Sequence, residues 1–162
     1  MAYTIVNPSL GFPAITATDT SAKVALGTRV RAVDPTYGEG EFIYLVGVAS
    51  TVIGSWVVYN TDAYTTILIV PNSKGPVAVA MSANVASQYG WYQIFGEAVA
   101  NAADVADSGN VYIDTAAGRC DDALVAGDRV KNAKWTSAED TAAVPKATAM
   151  LNYPFVDDFN DS

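Results

Sequence analysis

Residues 75–98, GPVAVAMSANVASQYGWYQIFGEA, decide how this chain is read. From Gly75 to Phe95 the stretch runs 21 residues without a charge, and Gly90 stands directly before Trp91 and Tyr92. Residues 77–81 and 91–99 are rich in β-branched and aromatic side chains, so each predicts a strand. Strands this poor in polar groups are buried on both faces, or on one face by their own fold and on the other by a partner chain. Between them, SANVASQY predicts a loop or a single helical turn. The missing charge points to packing and assembly rather than to chemistry.

The flanking sequence has the same β character. Residues 27–33 alternate polar and apolar side chains, and Asp34, Pro35 and Gly38 supply a turn. Further strands are predicted at 41–49, 55–59 and 65–70, then at 111–115, 129–134 and 147–155. Residues 98–106 are the one run of good helix formers, weakened by Asn101 and Asp104. No apolar face persists at helical period over three turns. Short strands at regular spacing with glycine turns predict an all-β fold, a small sandwich or barrel. Two echoes run through it: Leu26-Gly27-Thr28-Arg29-Val30 with Ala126-Gly127-Asp128-Arg129-Val130, and residues 44–49 with 93–98 in their glycine and alanine positions. Glycines inside strands mark bulges or barrel corners.

Residues 1–25 read as an N-terminal arm, extended or disordered. Pro8, Gly11 and Pro13 interrupt its start, and residues 16–23 are polar without periodic apolar positions. Phe12, Pro13 and Ile15 are the anchors it would use if laid over another surface. Residues 26–156 read as a single β domain, and 157–162 as an acidic tail.

Composition narrows the partners. The chain has 162 residues, 51% hydrophobic and only 16% charged, below the roughly 25% charged of soluble domains. Much apolar surface must therefore be covered, by the fold or by a partner. The net charge is −8, and the nine Lys and Arg residues are scattered, densest at Arg129, Lys131 and Lys134. Nucleic acid is disfavoured as a partner, since it needs cations converging on phosphates. Residues 1–15 lack the basic and apolar regions of a signal peptide, and the most apolar run, 65–70, is too short for a bilayer. The expectation is a chain made soluble in the cytoplasm, with no membrane partner.

The catalytic inventory is thin. There is no histidine, so the commonest general base and zinc ligand are missing. Cys120 is the only cysteine and reads as a buried, idle thiol. Glu41 and Glu97 among tryptophans give a glycosidase pair on paper, and residues 104–110 a loose calcium loop without EF-hand spacing. Seventeen acidic residues produce such patterns by chance, and these read as solvated turn residues. No enzyme activity, cofactor or metal is expected. Trp56 and Trp91 sit within apolar strands and should fill the interior. Trp135, between Lys134 and Thr136, is expected at the surface as an interface anchor or a sugar platform.

Several segments resemble tailed-phage head decoration proteins, also called cement or capsid-stabilising proteins. They are Leu26-Gly27-Thr28 with Ala32-Val33-Asp34, Tyr37-Gly38-Glu39-Gly40-Glu41-Phe42-Ile43-Tyr44, and Gly47-Val48-Ala49-Ser50-Thr51. Gly75-Pro76-Val77-Ala78-Val79-Ala80, Gln88-Tyr89-Gly90-Trp91-Tyr92-Gln93-Ile94 and Ala126-Gly127-Asp128-Arg129-Val130 continue the series. The resemblance implies a mostly β virion protein on the outer capsid surface, often a homotrimer, clamping neighbouring major capsid protein subunits. Ile5, Phe12, Pro13, Ile15 and Trp135 would then be the capsid or subunit contacts. A β-sandwich carbohydrate-binding or adhesin module is the alternative, resting on Trp135.

Overall fold

The computed structural model describes residues 1–6 and 11–158; residues 7–10 of the expected arm and 159–162 of the expected tail lie outside the described residues. The strands are β1 (Thr4–Ile5), β2 (Thr18–Asp19), β3 (Arg29–Asp34), β4 (Gly38–Val46), β5 (Trp56–Tyr59) and β6 (Thr66–Leu68). They continue as β7 (Gly75–Ala80), β8 (Tyr89–Asn101), β9 (Asn110–Ile113), β10 (Cys120–Asp121), β11 (Arg129–Trp135) and β12 (Lys146–Val156). The protein is all-β, in one antiparallel sheet of many strands consistent with a small sandwich or barrel. Among the described residues there is no helix, and so none long and apolar enough to cross a membrane. Residues 98–101, the start of the candidate helix, instead complete β8, because Ala98 and Ala100 are fully buried against the core.

The sheet runs β1-β3-β4-β8-β7-β12-β11-β9-β10, with β5 joining β6 to β7 and β2 pairing β8. It cannot be flat. β7, β8 and β12 each pair antiparallel with the other two, and three straight strands cannot all oppose one another. The bends are visible. β12 turns at Tyr153 (φ 51°), between the residues that pair β8 and those that pair β7. β8 turns at Gly96 (φ 91°), where an added Cβ would lie 2.4 Å from the Glu39 carbonyl oxygen. Such corners let a strand switch partners and wrap a core.

One local device recurs ahead of the strands: a four-residue turn whose third residue is left-handed and whose fourth N–H bonds the first carbonyl. The Thr28 N–H reaches the Ala25 carbonyl at 3.1 Å ahead of β3, and the Asp128 N–H reaches that of Val125 at 3.2 Å ahead of β11. Gly27 (φ 79°) and Gly127 (φ 88°) hold the left-handed place, so the first sequence echo is a shared turn. Ser87 and Asn72 hold it ahead of β8 and β7. The second echo is only strand chemistry, since Gly96 bends β8 while Gly47 lies past the end of β4.

Packing explains the charge-free stretch. Along β5, Trp56 and Val58 enter one core cluster while Val57 and Tyr59 enter a second. Along β7, Val77 and Val79 enter the first, Ala78 and Ala80 the second. These strands are covered on both faces by their own chain. The expectation that the missing charge points to assembly is corrected here: intramolecular burial accounts for it. The SANVASQY loop carries no helical turn, and its Asn84 is fully buried against Gly47 and Gly90. A Cβ on either glycine would lie 2.1 Å from an Asn84 atom, which is why glycine precedes Trp91.

Candidate interaction face

The residues singled out as contacts in the sequence are mostly engaged within the chain. The Ile5 backbone pairs with Ala32 in the β1–β3 ladder, and its side chain packs against the third core cluster around Phe42, Tyr44 and Trp91. Ile15 is 1% exposed in that cluster. Phe12 packs on Trp91 with ring centroids 6.0 Å apart, and the Pro13 carbonyl accepts the Trp91 indole N–H at 3.1 Å. Described parts of the arm are therefore packed on the β body. Asp34 ties its start down, accepting backbone N–H bonds from Ala2, Thr36 and Tyr37. Burial pushes the Asp34 pKa up, but those three donors outweigh it and hold the carboxyl below its ordinary range.

Trp135 is where the sequence reading fails. It is fully buried, edge-on to Trp56 at 5.7 Å, and its indole N–H donates to the Asp121 carbonyl at 3.0 Å. Side chains alternate along a strand, so exposed Lys134 and Thr136 turn Trp135 inward. A buried indole offers neither an interface anchor nor a sugar platform. The glycan-binding alternative loses the residue it rested on.

The carboxylate candidates are also engaged. Glu41 takes the Tyr153 hydroxyl at 2.8 Å and lies 3.7 Å from the Arg29 guanidinium, while Glu97 takes the Thr136 hydroxyl at 2.8 Å. Asp122 accepts the Ala106 N–H, and Asp121 that of Ala123. Among the described residues no group of three or more His, Cys, Asp or Glu side chains is placed to hold a metal ion. Cys120 is wholly buried. Burial first, then the nearby Asp121, Asp114 and Asp128 carboxylates, push its thiol pKa well above the usual value, against any role as a nucleophile.

What stands open is the outer face of β8, β12 and β11. On β12, Ala147, Ala149 and Leu151 point into the core, so Met150 points out and is 45% exposed. Met150 lies opposite Glu97 of β8 and Lys134 of β11. The bend at Tyr153 turns that ring onto Phe95, 5.5 Å between centroids, and Phe155 stands under the Lys131 ammonium at 6.0 Å. Phe95, Met150, Tyr153 and Phe155 are thus apolar side chains displayed on one hydrogen-bonded sheet, the first and third in contact and Met150 set among Glu97, Lys134, Thr148 and Asn152. Their charged neighbours are largely paired: Arg31 with Glu39 at 2.7 Å, and Lys131 with Asp157 at 3.0 Å. The sequence signal was Met150, an apolar side chain where alternation with Ala147, Ala149 and Leu151 demands a polar one; Phe155 shares the inward parity and is turned outward only by the bend at Tyr153.

Clefts also open at the surface. One of about 460 Å³ is bounded by Tyr59, Asn60, Thr61, Ile67, Lys74 and Pro76, where Lys74 is held by Asp158 at 3.3 Å. Another, about 300 Å³, lies among Tyr37, Val99, Glu139, Asp140 and Lys146. Neither gathers an acid–base pair in mutual contact with a nucleophile. No protein-family model matches this chain, and no curated protein matches it.

Proposed function

We propose that this is a structural virion protein, which binds the outside of an assembled tailed-phage capsid and stabilises contacts between major capsid protein subunits. It would act as a homotrimer and without catalysis, as the resemblance of its sequence segments implies. The observation that carries the reading is the set of outward apolar side chains Phe95, Met150, Tyr153 and Phe155 on one sheet face with mostly paired charges. Such a face suits protein contact, because apolar area is available and few charges must be stripped of water unpaired.

The mechanism is mass action. A protein that binds only the assembled lattice lowers the free energy of that state and of no other. Attachment through three copies raises avidity without new kinds of contact. The test is sedimentation of the purified protein with expanded shells of the cognate phage, alongside a copy count in intact virions. Saturable binding at high copy number is expected. A protein that stays in the supernatant and is absent from virions overturns the reading.

A further inference from the structure

The face that meets the shell has an electrostatic signature of its own. β11 and β12 together hold Arg129, Lys131, Lys134 and Lys146, four of the nine cations in the chain, and none of its seventeen carboxylates. In a molecule of net charge −8, this is, among the described residues, the one hairpin with a cationic surplus built into its strands. Asp157, just beyond β12, takes up Lys131. Lys134 stays exposed beside Met150, in the row that crosses from β11 to Glu97 of β8. Arg129 is also exposed at the start of β11, where its guanidinium donates a 3.4 Å bond to the Asn110 side chain.

We propose that the β8–β12–β11 face is the docking surface, and that it fits a protein surface bearing carboxylates around an apolar centre. The inference rests on the capsid reading above and names the partner chemistry of the same face. Met150, Tyr153 and Phe155 supply the apolar centre, and Lys134 and Arg129 the cationic edge. The acidic remainder of the molecule would be repelled by the same partner surface, so the charge pattern fixes which side faces the shell. Side chains already exposed can change there without disturbing the core, which separates binding from folding.

The test compares Lys134→Glu, Met150→Asp and Leu124→Asp in sedimentation with expanded cognate shells that lack this protein. Leu124 is 79% exposed in the β10–β11 loop and is the control. Thermal melting confirms that each variant folds. The expected result is roughly tenfold or greater weakening for Lys134→Glu and Met150→Asp, with Leu124→Asp unchanged. Wild-type binding should also weaken with added salt, and Lys134→Glu should blunt that dependence. If wild type binds but both face variants bind equally well, this inference is overturned and the capsid reading stands. If the face variants break the homotrimer instead, the occupant is a second copy, which also overturns it. If wild type itself ignores the shells, both fall together.

Discussion

β8 is one strand with two environments. Over residues 89–94 it is enclosed: Trp91 enters the arm-side cluster, while Tyr92 and Ile94 enter the one shared with β5 and β7. Over residues 95–101, Ala98 and Ala100 face the core but Phe95, Glu97 and Val99 stay partly open. The boundary is the bend at Gly96. The enclosed half is where the chain looks most apolar, yet it has no surface to offer. The half that can meet a partner is the one where polar and apolar residues mix. Apolar sequence marks the core; apolar side chains at outward positions mark the face left open.

Four substitutions test the difference between the two halves and the fold around them. Trp91→Ala in the enclosed half should cost about 3–5 kcal/mol in urea unfolding, from the cavity and the lost bond to Pro13. Gly90→Ala should cost about 1–3 kcal/mol, because its Cβ drives into buried Asn84. Asp34→Asn should cost less and change the acid limb of the stability curve. The Asp34 pKa is lowered in the folded state, so the unfolded chain binds the extra proton first. Its contribution is therefore full above the unfolded value of about 4 and fades as pH falls towards the lower folded value. The asparagine variant should lose that part of the acid sensitivity. Tyr153→Phe in the open half removes one exposed hydrogen bond to Glu41 and should stay within about 1 kcal/mol of wild type. A large loss there would mean that the open face is structural after all.

Much of the β architecture was legible because strand chemistry is local. β3, β5, β6, β7, β8, β9, β11 and β12 all lie where alternation or β-branched runs predict them, β4 begins three residues earlier than predicted and ends three earlier, and the paired turns at Gly27 and Gly127 follow from a repeated word. The two-residue strands β1, β2 and β10 were not legible. Each is extended only because a partner strand fixes it, and Thr4, Thr18 and Cys120 carry no periodic signal. The anchors of a docked arm, Phe12, Pro13 and Ile15, were legible, but where they dock was not, since Trp91 and Phe42 lie far away in sequence. Trp135 was misread by judging its neighbours' polarity instead of their alternation. The open face was not legible from the absence of charge, because its signal is a single residue out of phase, Met150.

The most direct measurement is oxidative footprinting of side chains, on the free protein and on the protein bound to expanded cognate shells. The account predicts that Met150, Tyr153 and Phe155 become protected on binding while Leu124 remains reactive. Binding that leaves those three side chains as reactive as in the free protein would contradict it.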